Sequence, residues 1–379
     1  MTSTSLNSVT EAIAAIAAGE LVVVVDDGDR ENEGDLVMAA SKATAEQVAF
    51  MIRHTSGIIC APIQPEMAER LQLQPMVATN RDLMRTAFTV SVDYRVGLTT
   101  GIAAEERTNT LNALANDNCI ATDFLRPGHV FPLISKTGGV LIRSGHTEAA
   151  TDLARLAGLA QVGVLAEIVN DDGTVKRLPQ LIEFAREHGL KIVSIADLIE
   201  HRTRTESFVQ RVETNPVGTP IGKADVHIYT TPFDDTQHLA VVFGSVAGEE
   251  AVPCRIHHEQ PLRDLFGGAR SQRWLDVALE RFRSGGRGVL IYVRDPKITS
   301  LASPAESAAD PATAAVPAAR DRHKSSLKRR ERWREIGLGA QILRDLGVSS
   351  ITLIATQHRQ YVGLAGFGIE IAATEIVES

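Results

Sequence analysis

Leu21-Val22-Val23-Val24-Val25-Asp26-Asp27-Gly28-Asp29-Arg30-Glu31-Asn32-Glu33-Gly34-Asp35 is the stretch on which the reading of the fold turns. Its first five residues are an apolar run rich in β-branched side chains, the pattern of a strand buried in a sheet. The strand delivers the chain straight into Asp26 to Asp35, where six carboxylates and one arginine fall within ten residues. That stretch reads as a loop at a strand end. Carboxylates held this close repel one another. The loop is therefore either a solvated acidic turn or a site where a hard cation such as magnesium, or a bound substrate, offsets the repulsion.

Outward from the run, helix and strand signals alternate. Ser8 followed by Glu11 is a capping box, and the helix it opens runs through Ala12 to Ala18 and stops at Gly19. Next come a helix from Thr44 to Thr55 closed by Gly57, and strand-like Ala87 to Val92 and Val140 to Ile142. A helix from Glu148 to Gly158, a strand from Val162 to Val169, an Asn170-Asp171-Asp172-Gly173 turn, a helix after Pro179 and a strand from Leu190 to Ile195 follow. Residues 1–204 thus read as an α/β domain with a mixed sheet. From His201 to Pro220 the periodicity dissolves into charged and turn-forming residues, which marks a domain boundary. A second α/β domain, 205–379, has strands at Val226–Thr231, Leu239–Phe243, Val252–His257, Val289–Val293 and Ile351–Ile354, with helices near Gln272–Arg283 and Arg332–Leu346. Within it, 296–322 is an Ala- and Pro-rich insert with too few large apolar side chains to offset the entropy of ordering.

Two domains suit a chain of 379 residues, and 44% hydrophobic with 23% charged residues is the composition of a globular protein. The longest apolar run, Leu21 to Val25, is far too short to span a bilayer, and no secretory signal opens the chain, so a cytoplasmic protein is expected. A net charge of −8 disfavours general nucleic-acid binding. The eight Lys and Arg between Arg320 and Arg334 read as a solvated amphipathic helix. Cys60, Cys119 and Cys254 are too widely spaced for a disulfide framework or a thiolate metal site.

Two further features bear on chemistry. Arg143-Ser144-Gly145-His146-Thr147-Glu148 leads into a helix, where backbone donors and the positive helix end favour a phosphate, and where His146 suits ligation or proton transfer. Glu167 lies in an otherwise apolar strand. Either a partner such as an arginine satisfies it, or its raised proton affinity is put to use.

Five ordered motifs now carry a resemblance: Arg30-Glu31-Asn32-Glu33-Gly34-Asp35, Thr86-Ala87-Phe88-Thr89-Val90-Ser91-Val92-Asp93, Thr99-Thr100-Gly101-Ile102, Arg126-Pro127-Gly128-His129-Val130-Phe131-Pro132-Leu133, and Arg143-Ser144-Gly145-His146-Thr147-Glu148-Ala149. Together, over about residues 8–203, they resemble 3,4-dihydroxy-2-butanone 4-phosphate synthase. The resemblance implies a homodimer acting in riboflavin biosynthesis on ribulose 5-phosphate, with two divalent cations, Mg2+ or Mn2+, per site. In the family's reaction the proton on C3 leaves, the C1 hydroxyl is lost, the skeleton rearranges and C4 departs as formate. The resemblance also assigns metal ligation to Glu31 and His146. Substrate contact falls to Arg30, Glu31, Asp35, Arg143, Ser144, Gly145, His146, Thr147 and Glu167. Catalysis falls to His129, Glu167 and Asp35, with Glu33 as an accessory. Cys60 reads as a small buried residue.

Residues 255–270, Gly337–Gly347 and Tyr361–Gly368 resemble GTP cyclohydrolase II. The positions of that family's zinc cysteines read Gln260, Ser271 and Arg273, and no zinc is expected. The nucleotide-binding stretch after Ile291–Arg294 is replaced by Asp295-Pro296-Lys297. The catalytic aspartate's place is taken by Arg332, although the family's arginine is kept as Arg334. This half reads as an inactive cyclohydrolase-like domain; the alternative is a bifunctional enzyme that also hydrolyses GTP. A substitute metal site at His257 and His258 with Glu259 and Asp264 is disfavoured, since neighbours on a strand point to opposite faces.

Overall fold

The computed structural model describes residues 6–28, 30–82, 84–232, 234–261, 264, 268–294, 337–355 and 368–376, with backbone only at 234 and 268–273. Two compact units divide between Arg202 and Thr203.

The first unit is a seven-stranded mixed sheet in the order β4-β5-β3-β6-β2-β1-β7, built from β1 (Val22–Val25), β2 (Gly34–Ala39), β3 (Cys60–Ile63), β4 (Val92–Tyr94), β5 (Phe124–Ile134), β6 (Gly163–Glu167) and β7 (Lys191–Ser194). Helices cover both faces. Val22, Val24, Val37 and Leu165 pack with α1 (Val9–Ala18), α5 (His146–Leu156) and α7 (Ile195–Thr205). Val23, Val25, Leu36 and Ala166 pack with α2 (Ala45–His54), α3 (Pro65–Arg70), α4 (Ala104–Leu114) and α6 (Leu178–Glu187). Burial on both faces explains why Val22 to Val25 is continuously apolar and not alternating. The capping box at Ser8 and Glu11 is formed, and Gly19 ends α1 in the left-handed conformation.

The second unit carries another seven-stranded sheet, order β14-β13-β11-β12-β10-β9-β8, from β8 (Gln210–Thr219), β9 (Gly222–Thr231), β10 (Asp234–Phe243), β11 (Val252–His258), β12 (Gly288–Val293), β13 (Ser350–Ala355) and β14 (Glu370–Ile376). Helix α8 (Gly268–Gly285) places Ala278 and Phe282 against Phe243, Leu290 and Ile354, and 337–345 are also helical.

Four sequence expectations need correction. Residues 210–219, read as part of a stretch without periodicity, form β8, paired with β9 over its length, and α7 runs on to Thr205. An exposed edge ribbon buries neither face, so no apolar alternation announces it, and Pro216 is tolerated at an edge. Gly34 and Asp35 are not loop but the start of β2, antiparallel to β1. Gly139–Leu141 is a 3-10 turn where Val140 to Ile142 reads as a strand. Of Ala87 to Val92, Phe88 and Thr89 make isolated bridges and only Val92 lies in a regular strand. The insert 296–322, Arg320–Arg334 and the helix start at Arg332 lie outside the described residues.

Candidate functional site

The β1–β2 hairpin is organised by its first carboxylate. Asp26 Oδ2 accepts from the Glu31 N–H at 2.8 Å and Oδ1 from the Glu33 N–H at 2.9 Å, while Arg30 Nη1 reaches Oδ2 at 3.1 Å. Arg30 also contacts the Glu31 carboxylate, and Arg177 donates to the Glu31 carbonyl oxygen at 2.9 Å. These bonds fix where the side chains of 31, 33 and 35 emerge.

His146, the first residue of α5, is buried and presents its ring to that hairpin. Nε2 lies 3.2 Å from the Val24 carbonyl oxygen, which can only accept, so Nε2 carries a proton. Nδ1 then faces Glu31 at 3.9 Å, an electrostatic contact too long for a hydrogen bond. Ligand atoms of Asp26, Glu31 and His146, and again of Glu33, Asp35 and His146, lie within 4.8 Å of one another. Asp35 sits opposite Glu167 across β2 and β6, and its Oδ1 is buried without a hydrogen-bond partner.

The charges respond to this crowding. Burial, then Glu167, Glu33 and Glu31, push Asp35 well above the usual carboxylate range against the pull of His146. Burial and Glu31 raise Glu33. Burial also acts to raise Glu31, but the positive charges of His146 and Arg30 overcome it and bring the carboxyl down to about 2. For His146 burial favours the neutral ring, and Asp35 and Glu31 outweigh it. A buried, unpartnered carboxylate oxygen among like charges, beside a histidine whose other nitrogen is anchored to backbone, is a set of donors that could hold hard divalent cations.

Beside it the first turn of α5 begins. The N-cap of α5 is Gly145, so no side chain caps the first turn. Arg143 donates to Glu148 at 2.7 Å, to the Met84 carbonyl oxygen at 3.2 Å and to Thr86 Oγ1 at 3.3 Å. That guanidinium lies directly against Gly145, and a Cβ there would make it shift.

The structure brings Arg30, Glu31, Glu33, Asp35 and His146 together, puts Glu167 next to Asp35, and sets Arg143 to Thr147 at the start of α5. Glu167 is satisfied by the Ser56 hydroxyl at 2.6 Å, not by an arginine. His129, on β5, pairs instead with Asp93, Nδ1 to Oδ2 at 2.7 Å. Asp26, Ser56, Asp93 and Glu148 were not singled out from sequence. Asp26 is hidden among equivalent acids, Ser56 and Asp93 become informative through long-range contacts, and Glu148 through its pairing with Arg143 five residues earlier. In the second unit His257 Nε2 meets Asp264 at 3.0 Å, Tyr292 donates to Asp264 at 3.0 Å, and the His257 ring stacks on Trp274 at 3.8 Å.

Known proteins match both units of the chain. Residues 10–201 match the model of 3,4-dihydroxy-2-butanone 4-phosphate synthase, and 210–377 that of GTP cyclohydrolase II. The riboflavin biosynthesis protein RibBA of Mycobacterium tuberculosis is 44% identical over 97% of this chain and 88% of its own length. The monofunctional riboflavin biosynthesis protein RIBA 2 of Arabidopsis thaliana is 42% identical over 96% of this chain and 76% of its own. Among solved structures, RibBX of A. baumannii, a two-domain 3,4-dihydroxy-2-butanone 4-phosphate synthase, aligns with a TM-score of 0.76 at 35% identity, covering 98% of this chain and all of that one. A 3,4-dihydroxy-2-butanone 4-phosphate synthase solved with two magnesium ions aligns with a TM-score of 0.52 at 44% identity, over 53% of this chain and 98% of its own. The chain belongs to the 3,4-dihydroxy-2-butanone 4-phosphate synthase family, in the form that joins this domain to a GTP cyclohydrolase II domain, and it is a synthase of riboflavin biosynthesis.

Proposed function

We propose that the chain converts D-ribulose 5-phosphate into L-3,4-dihydroxy-2-butanone 4-phosphate and formate at the hairpin–α5 site, and that its C-terminal unit does not hydrolyse GTP. The observation that carries the first part is the pair of carboxylate groups sharing His146. Glu31 and His146, with Asp26, Glu33 and Asp35 around them, would hold two divalent ions, Mg2+ or Mn2+. Bound there, such ions supply positive charge for the oxygen that turns negative when the carbon beside a ketone loses its proton.

The chain's own residues do the rest. Arg143, Ser144, Gly145 and Thr147 bind the phosphate at the start of α5, where backbone N–H groups point outward. Arg30 orders the hairpin under the sugar. Glu167, Asp35, Glu33 and His129 handle protons; each such group contributes about 100- to 10,000-fold in rate. A homodimer goes with this reading. His129 is tied to Asp93 and not to the hairpin carboxylates, and a second copy offers a way to complete the site. The three buried free thiols suit a reducing compartment such as the cytoplasm. Glu31→Gln and His146→Ala are each expected to abolish formate release from ribulose 5-phosphate. Full activity in either would overturn the assignment.

The match of residues 210–377 favours a second reading, a bifunctional enzyme. Against it stands the donor set. Residues 205–379 contain a single cysteine, Cys254, which lies within β11, where burial pushes its thiol up to about 12. Gln260, at a zinc-cysteine position, offers an amide, and His257 is already engaged by Asp264. The names of the Arabidopsis and A. baumannii relatives are consistent with a single activity. Stoichiometric zinc together with turnover of GTP would establish the bifunctional reading; neither is expected.

A further inference from the structure

Arg107, on α4, is a buried cation without a role so far. It is 5% exposed. Nη1 donates to the Gly57 carbonyl oxygen at 3.3 Å, and Nε is buried with no hydrogen-bond partner. A guanidinium in this position is costly unless a nearby charge offsets its burial. Helix α4 lies against β4, where Thr110 Oγ1 accepts from the Tyr94 N–H at 2.9 Å, and Arg107, one turn earlier on the same face, stands near Asp93, whose charge opposes the downward push of burial on the guanidinium.

Asp93 is itself buried, and both of its oxygens are spent on one histidine. Oδ1 accepts from the His129 backbone N–H at 2.8 Å and Oδ2 meets Nδ1 at 2.7 Å. With Nδ1–H directed at the carboxylate, Nε2 is left as the bare nitrogen of the neutral ring, which fixes the tautomer. Gly101, at φ +85°, closes over this pair so tightly that a Cβ would fall on both partners.

The Gly57 contact leads to the other proton-handling residue. Ser56 donates to Glu167 twice, from its hydroxyl to Oε2 at 2.6 Å and from its backbone N–H to the carbonyl oxygen at 2.8 Å. Gly57, at φ +78°, follows directly, and Arg107 takes its carbonyl. One buried side chain thus reaches from the turn that holds Glu167 to the surroundings of the carboxylate that holds His129.

We propose that Arg107 is a positioning residue of the synthase reaction, orienting His129 through Asp93 and fixing the Ser56–Gly57 turn against Glu167. This rests on the assignment of His129 and Glu167 as proton-handling residues. Arg107 touches no substrate; its charge balances Asp93, and its donor sets the turn.

The test compares Arg107→Gln, which keeps a donor but removes the charge, with Arg107→Lys, which keeps the charge, and runs His129→Gln alongside. Formate release from ribulose 5-phosphate at saturating magnesium is measured together with the 15N signals of the histidine rings. Arg107→Gln is expected to lower kcat about 10- to 100-fold with KM held within about threefold, and to turn the single Nδ1–H form of His129 into a mixture. Arg107→Lys should recover part of both, and carries the test if the glutamine variant does not fold. Full activity in His129→Gln sinks the assignment of His129, and this proposal with it. An inactive His129→Gln beside an unimpaired Arg107→Gln overturns the role of Arg107 alone. So does a loss of rate that comes with a lower thermal midpoint and an unchanged His129 signal, since that is a structural residue's signature.

Discussion

Asp35 and Glu167 face each other directly across β2 and β6, two carboxylates on one sheet face at the end of an otherwise apolar pair of strands. Neither strand gains from this arrangement. Asp35 Oδ1 has no hydrogen-bond partner, and burial with three acidic neighbours raises its proton affinity. The arrangement stores destabilisation at the place where chemistry is proposed.

Asp35→Asn removes the cost of burying or protonating that carboxylate and keeps the shape. In the presence of a chelator the variant is expected to unfold at higher temperature than the wild type, by the equivalent of about 1–3 kcal/mol, while losing formate release. A lower thermal midpoint would mean that Asp35 has a partner that stabilises its charge.

Cations that bind the folded hairpin and not the unfolded chain must stabilise it. At 100 times its dissociation constant, magnesium is expected to add about 2.7 kcal/mol, seen as a rise in the thermal midpoint that a chelator reverses. Glu31→Gln and His146→Ala should show little or none of this rise. An undiminished rise in both would place the ions elsewhere.

Gly34 opens β2 directly before Asp35, and a Cβ there would lie 2.6 Å from Leu181 Cδ1 on α6. Gly34→Ala should therefore cost about 1–3 kcal/mol through overpacking, measured by urea unfolding. Leu181→Ala in the same chain should restore the space, so that the combined loss is smaller than the sum of the single losses.

Glu11 accepts from the Ser8 backbone and hydroxyl and pairs with Lys191, which together bring its carboxyl down to about 2 from an ordinary 4.5. A carboxyl depressed by folding stabilises the fold above its unfolded pKa, and that contribution is lost as pH falls from 4.5 towards 2. Ser8→Ala is expected to cost about 1 kcal/mol at pH 7 and to weaken the dependence of the thermal midpoint on pH between 5 and 3. An unchanged pH dependence would show that Ser8 does not set the proton affinity of Glu11.

What could be read beforehand follows from how local each signal is. Val22 to Val25, the Ser8–Glu11 box and the Glu148 helix are written in neighbouring residues, and they formed. The edge strand β8 could not be read, because its pairing with β9 is made by backbone groups and its side chains are exposed. Glu31, Asp35 and His146 were legible through their motifs. Asp93 stands in one of the motifs, but its partner is 36 residues away, and Arg107 lies 50 residues from its glycine, so neither role is written in neighbouring residues.

The proposed function places one activity in the first unit and none in the second. It is tested most directly by incubating the full chain with magnesium and either ribulose 5-phosphate or GTP, and measuring formate. Formate equal to the ribulose 5-phosphate consumed, with none from GTP, is the predicted result. Formate from GTP, or none from ribulose 5-phosphate with either magnesium or manganese, would contradict it.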